Sequence, residues 1–117
     1  MISRRDERLF NQASVMATLG QAHVRVGAVL ARGRRPYVWE HNVSGPTPGE
    51  PFHLGHAEAR AVARSVREKS TIYVARIDRA GTLMPSMPCL TCHETLSRSS
   101  VTRIVYFDGN KLGDRKV

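Results

Sequence analysis

The sequence predicts an α/β domain built on a mixed sheet of four to five strands with helices packed against it. Segments of helical and strand character alternate in the order α-β-β-α-β-α-β, with room for one more strand at the end. The third and fourth strands flank a helix, which calls for a parallel pair joined by a right-handed crossover. The 117 residues carry no repeat, low-complexity tract or linker, so one domain over residues 1–117 is expected.

Residues 3–19 read as the first helix. Ser3 can cap it, and Asp6 three positions on makes a loose capping box. Leu9, Phe10, Ala13, Met16 and Ala17 recur on one face, and Gly20 is a natural stop. Val24 to Ala31 is a strand, Arg32-Gly33-Arg34-Arg35 a turn, and Tyr37 to Asn42 a second strand, so the first two strands form a hairpin. Residues 44–55 are dense in Gly and Pro and read as an irregular loop that runs into His56. Ala57 to Glu68 is a helix with an apolar stripe of Ala57, Ala61, Val62 and Val66. Arg60, Arg64 and Arg67 line another face, the pattern of a solvated surface. Thr71 to Ile77 is the third strand, Arg79 to Pro88 a loop, and Leu90 to Ser97 a short helix. Arg103 to Phe107 is the fourth strand. Asp108-Gly109-Asn110 is a turn from which Lys111 to Val117 can return as an antiparallel fifth.

Composition narrows the class. Hydrophobic content of 41% suits a globular chain rather than a disordered one. The longest apolar run of note, residues 28–31, falls far short of the ~20 residues of a membrane span. Residues 1–8 are charged and carry no apolar signal segment, so a soluble cytoplasmic protein without a membrane partner is expected. The net charge is +8, and of the 18 basic residues only Lys69, Lys111 and Lys116 are lysine. Arginine grips phosphate with two parallel bonds, so an anionic ligand or nucleic acid is one reading; simple solvation of an Arg-biased chain is the other. The two cysteines, Cys89 and Cys92, form one C-x-x-C, which points to metal or redox work rather than a structural disulfide.

The chemistry concentrates in two short motifs. His56-Ala57-Glu58 opens one predicted helix, and Pro88-Cys89-Leu90-Thr91-Cys92 opens another. Catalytic zinc commonly takes three protein ligands and leaves the fourth position to water, a count that one imidazole and two thiolates satisfy. Thiolates gain further from a helix N-terminus, where N–H groups and the dipole favour negative charge. Glu58 is better placed as a proton carrier than as a fourth ligand, because a fourth ligand would displace the water. His93 follows Cys92 and is the alternative fourth ligand of a closed structural site. Residues 89–93 also spell C-x-x-C-H, a haem attachment pattern with Met84 or Met87 as the distal ligand. That reading needs an export signal and leaves His56 and Glu58 unexplained.

His-Ala-Glu followed some thirty residues later by Pro-Cys-x-x-Cys resembles the cytidine and deoxycytidylate deaminase superfamily. The resemblance runs over roughly residues 5–107 and includes the VGAVLA strand, the strand ending at Asn42 and both motif helices. It implies a three-layer fold with helices on both faces of the sheet. It implies Zn2+ held by His56, Cys89 and Cys92, with Glu58 as the catalytic acid–base. Water activated at the metal attacks C4 of cytosine or C6 of adenine. Glu58 takes one proton from that water and protonates the ring nitrogen, and then passes the water's second proton to the amine that leaves as ammonia. The resemblance further implies that Asn42 contacts sugar or base, that the backbone around Ala57 and Pro88 contacts the exocyclic amine, and that the chain forms homo-oligomers. The chain departs from the pattern after the fourth strand, where no crossover helix follows, and Met84 to Met87 match no particular substrate class.

Compactness favours a free (deoxy)cytidine nucleoside or nucleotide, deaminated to its uracil counterpart. The alternative is cytosine or adenine in single-stranded DNA or RNA, including tRNA. A third class is an inactive relative that only binds nucleotide. Arg32, Arg34 and Arg35 on the hairpin turn, or Arg76 and Arg79 after the third strand, are the candidates to meet a phosphate. A polynucleotide would ask for stacking platforms, and Tyr37, Trp39, Phe52 and Tyr73 are the aromatic candidates, with Phe52 and His53 beside His56.

Overall fold

The first helix begins as its capping signal requires. In the computed structural model, which describes residues 1–20, 24–43, 56–65 and 68–117, the Asp6 amide donates to Ser3 Oγ and the Ser3 amide donates to the Asp6 carboxylate. The helix, α1, spans Arg4–Ala17. It is followed by β1 (Arg25–Arg32), β2 (Arg35–His41), α2 (Ala57–Val62), β3 (Ser70–Ile77), β4 (Leu83–Met84), α3 (Leu90–Ser97), β5 (Val101–Phe107) and β6 (Leu112–Lys116).

One sheet runs in the order β2-β1-β3-β5-β6, with β4 added to β3. The expected hairpin is there, with Val29 opposite Trp39. β3 and β5 pair in parallel around α3, and β6 returns antiparallel to β5. Six strands stand where four to five were expected. The extra one is β4, two residues long and too short to leave a periodic signal.

Helices cover both faces of the sheet, as the family resemblance implied. On one face Leu9, Phe10 and Ala13 of α1 meet Val29, Ala31, Tyr73, Ala75 and Val105. On the other, Ala57 and Ala61 of α2 and Leu96 of α3 meet Ala28, Leu30, Ile72, Val74 and Ile104. The period-2 alternation of β1 and β3 therefore sorts their side chains between two cores. Gly27 permits the close approach of α1, because a Cβ there would run into Ala13 O and Ala17 N.

The expected helix over 57–68 is shorter in the structure. It closes at Val62 and passes through a turn at Ala63 and Arg64; Val66 and Arg67 lie outside the described residues. Arg60 and Arg64 are not simply solvated. They converge on the buried Glu40 of β2, with Arg60 Nε at 3.2 Å and Arg64 Nη1 at 2.9 Å from its two oxygens. Each holds α2 to the edge strand, with a charge-assisted bond on an otherwise costly buried carboxylate. Among the described residues no helix is long and apolar enough to cross a membrane.

Candidate metal and active site

Antiparallel pairing puts the start of β1, the end of β2 and the end of β3 at one end of the sheet. Parallel pairing brings the end of β5 to the same end. Open α/β sheets bind ligands outside the carboxyl ends of their parallel strands, which here are β3 and β5. The two motifs arrive at this end. His56 is the N-cap residue of α2 and Cys89 that of α3; both have extended backbone, and the Cys89 sulfur turns back over the first turn of its helix while the His56 ring makes no capping bond.

The structure brings His56, Cys89 and Cys92 together. Their ligand atoms all lie within 4.8 Å of one another. His56 Nδ1 is 3.1 Å from Cys92 Sγ and 3.9 Å from Cys89 Sγ, and the Cys92 amide points at Cys89 Sγ at 3.5 Å. Cys89 is exposed, His56 partly so, and Cys92 fully buried. His93 stands outside the cluster with a buried Nε2, so a fourth protein ligand is not among the described residues.

Glu58 lies in the first turn of α2 and is 6% exposed. Burial pushes its carboxyl above the ordinary carboxylate range, while its own amide, the charges of His56 and Arg76 and the Cys92 thiol pull the other way. Burial likewise pushes the Cys92 thiol far up, and the Glu58 carboxylate and Cys89 reinforce the shift. Burial, the Glu58 carboxylate and Cys89 thus all oppose the Cys92 thiolate. A dication held by the imidazole and the two sulfurs would favour that thiolate, so the donor set fits zinc on its own chemistry.

The segment that delivers Cys89 is pinned by Ser86, a residue with no signal in the sequence. Ser86 Oγ donates to Val74 O at 2.6 Å and accepts from the Phe107 amide at 2.9 Å, while the Ser86 amide donates to Phe107 O at 2.9 Å. Ser86 is buried, as is Pro88, and the bonds of Ser86 join Val74 of β3 to Phe107 at the end of β5 just before α3. Ala57 is also fully buried. Asn42 follows β2 and holds the entry of β1. Its Oδ1 accepts from the Val26 amide at 2.9 Å, and its Nδ2 donates to Val24 O at 2.8 Å. One Nδ2 hydrogen and one Oδ1 lone pair remain for a ligand.

The two arginine sets separate cleanly. Arg76 alternates with Ile72 and Val74, which face α2 and α3, so it lies on the site face at the carboxyl end of β3. It pairs across the strands with Val26 and Met84, and Asn42 continues the row through its amide bond to Val26 O. Arg76 is exposed, and among the described residues it has no hydrogen bond or ion pair through its side chain. Arg32, Arg34 and Arg35 sit at the opposite end of β1, about 20 Å away at strand rise. Arg32 is further committed to Glu68 at 2.6 Å and to the face of Tyr37.

The described aromatic candidates serve elsewhere. Tyr73 faces α1, buried, with its hydroxyl on Asp6; Trp39 donates to Gln12 of α1; Tyr37 bonds Ser70 at the far end of the sheet. Phe52 and His53 lie outside the described residues.

Comparison with known proteins agrees with this geometry. No curated protein sequence matches the chain at a significant level. Among solved structures, a cytidine deaminase from Burkholderia pseudomallei superposes with a TM-score of 0.64 at 16% identity, over 94% of this chain and 91% of that one. A point mutant of cytidine deaminase from Mycobacterium tuberculosis gives 0.58 at 19%, over 94% and 88%. At these identities the likeness concerns the fold. The model of the cytidine and deoxycytidylate deaminase zinc-binding region matches residues 3–108, nearly the whole chain, and the protein belongs to that family.

Proposed function

We propose that the protein is a zinc-dependent hydrolytic deaminase that converts cytosine to uracil in a free (deoxy)cytidine nucleoside or nucleotide and releases ammonia. The observation that carries the reading is the convergence of His56, Cys89 and Cys92 within 4.8 Å, with the buried Glu58 carboxyl beside them. These three side chains are the proposed metal ligands. Zinc bound there supplies Lewis acidity that brings a water within reach of deprotonation near neutral pH.

Glu58 carries the protons. A carboxyl lifted above its ordinary range can take one proton from water and place it on a ring nitrogen, and can then carry the proton of the added hydroxyl to the departing amine, without a large mismatch at either step. Its burial in the first turn of α2 keeps it away from bulk water. The backbone around Ala57 and Pro88 is the proposed contact for the exocyclic amine. The unused capacity of the Asn42 amide is the proposed contact for sugar or base. Arg76, on the site face and without a side-chain partner among the described residues, is the proposed contact for a substrate phosphate.

Two observations support a free substrate over a polynucleotide. Tyr37, Trp39 and Tyr73 are each engaged away from the site. The cations of the hairpin turn stand at the other end of the sheet. Product analysis on cytidine, deoxycytidine and their monophosphates, beside single-stranded DNA and tRNA, tests the proposal. Uracil products from the free compounds are expected. Turnover confined to the polymers overturns the substrate assignment, and zinc-loaded protein inert on all of them overturns the activity.

A further inference from the structure

The charge of this chain is segregated, and it gathers at the end of the sheet away from the proposed site. Register shows which strand ends meet there. Arg32 pairs with Arg35, Ser70 with Val101, and Arg103 with Lys116. Arg34 and Arg35 on the hairpin turn, Lys69 before β3, Arg98 capping α3, and Arg115 and Lys116 on β6 therefore follow one another across five strands. At the spacing of neighbouring strands this is a row about 20 Å long. All six are exposed, and among the described residues none has an ion-pair or hydrogen-bond partner for its side chain.

The carboxylates at this end are mostly spent. Asp6 is held by Arg103, Asp114 by Arg103 and the N-terminal ammonium, and Glu68 by Arg32. Glu7 on the first turn of α1 has no side-chain partner among the described residues, but Arg4 and Arg8 flank it on the same helix, both exposed. Glu94 lies one turn before Arg98 along α3; among the described residues no ion pair or hydrogen bond otherwise offsets the positive excess of the row. Solvated arginines scattered by composition alone would be expected at both ends of the sheet. Among the described residues the site end instead carries Asp78 and Asp108 beside the cations Arg25, Arg76, Arg79 and Lys111.

We propose that this end of the sheet is a binding surface for the phosphodiester backbone of nucleic acid, without sequence preference and separate from the deamination site. A row of cations matches a repeating anion better than a single phosphate, and arginine's planar fork suits phosphate oxygens. The aromatic nearest the row, Tyr37, lies under Arg32 and bonds Ser70, so the surface offers no stacking platform and reads backbone rather than bases. A bilayer is the poorer fit. Among the described residues Met1 is the only exposed large apolar side chain at this end; Val15, Leu19, Trp39, Leu83 and Leu90 lie elsewhere and offer nothing to insert beneath the charges. The role is to hold the enzyme on nucleic acid while free substrate is processed at the other end.

The test is equilibrium binding of the full zinc-loaded chain to a labelled mixed-sequence DNA duplex of about 30 base pairs, with the salt series that counts phosphate contacts. Six contacts predict a fall in affinity of about 10³-fold between about 50 and 200 mM salt. Arg34→Glu with Arg35→Glu, and separately Arg115→Glu with Lys116→Glu, should each weaken binding at least about tenfold and flatten the salt slope by about two contacts. Turnover of a free substrate should be unchanged in both variants. The two pairs lie on different exposed elements, so a folding defect in one leaves the other as the test. Absence of binding by the unaltered chain at low salt overturns the proposal. So do variants that bind as the parent does, or equal or tighter binding to vesicles of anionic lipid or to polyglutamate. None of these outcomes depends on whether the chain deaminates.

Discussion

His56 Nδ1 stands 3.1 Å from Cys92 Sγ although 36 positions separate the two residues. That approach is made by two helix starts on one end of a sheet, and it sets the first prediction. The purified protein should bind one zinc per chain, and Cys92→Ala should abolish stoichiometric binding by elemental analysis. Cys89→Ser, which alters the exposed sulfur, should weaken it less. Removing the metal should lower Tm by several degrees, since the folded state alone presents the assembled ligands. Zinc retained at one per chain in Cys92→Ala would place the metal elsewhere.

Glu58→Gln keeps the shape of the side chain and removes its basicity. It should cut kcat at least about 10³-fold while zinc content stays at one per chain. Loss of the metal together with activity would mean that Glu58 is a ligand and that its assignment as proton carrier is wrong.

Arg76→Ala separates nucleotide from nucleoside. If Arg76 receives a phosphate, KM for a nucleoside monophosphate should rise by about tenfold or more while KM for the nucleoside hardly moves. An equal loss on both substrates would instead assign Arg76 to the electrostatics of Glu58, on which its charge also bears.

Asp6 gives a prediction about stability and pH. Burial alone would raise its carboxyl, but Arg103, the Ser3 amide and Tyr73 outweigh burial and hold it well below the usual carboxylate range. A carboxylate depressed in the folded state contributes stability above its unfolded value of about 4, and that contribution is lost as pH falls through the folded value. Asp6→Asn should cost about 2 kcal/mol at pH 7 and flatten the decline of stability below about pH 4. A parallel acid limb in denaturant titrations of the two proteins would show that other carboxylates govern it.

The cluster of His56, Cys89 and Cys92, the capping of α1 and the parallel β3–β5 pair are legible in the sequence because each leaves a local mark. A C-x-x-C, a Ser three residues before an Asp, and two strands flanking a helix need no knowledge of distant partners. What depends on register is not legible. Arg60 and Arg64 look like a solvated stripe until β2 places Glu40 beneath them. Arg34, Arg98 and Arg115 look unrelated until pairing lines up the ends of β2, β3, β5 and β6. Asn42 reads equally as a turn residue or a ligand, and its two bonds to β1 show it in a structural role with spare capacity. The early close of α2 at Val62 leaves no breaker in the sequence to announce it.

Ser86 tests whether the segment before Cys89 is positioned or merely tethered. Its hydroxyl satisfies both Val74 O and the Phe107 amide in a buried setting, so Ser86→Ala leaves two backbone groups without that partner. The cost should be about 2 kcal/mol, seen as a lower denaturation midpoint. Because Ser86 lies three residues before Cys89, release of this clasp should also loosen one metal ligand and not the other two. Zinc affinity should then fall about tenfold or more, and kcat with saturating zinc should recover most of the parent value. A stability loss with unchanged zinc affinity would confine Ser86 to joining β3 and β5, and would leave α3 itself as the element that aims Cys89.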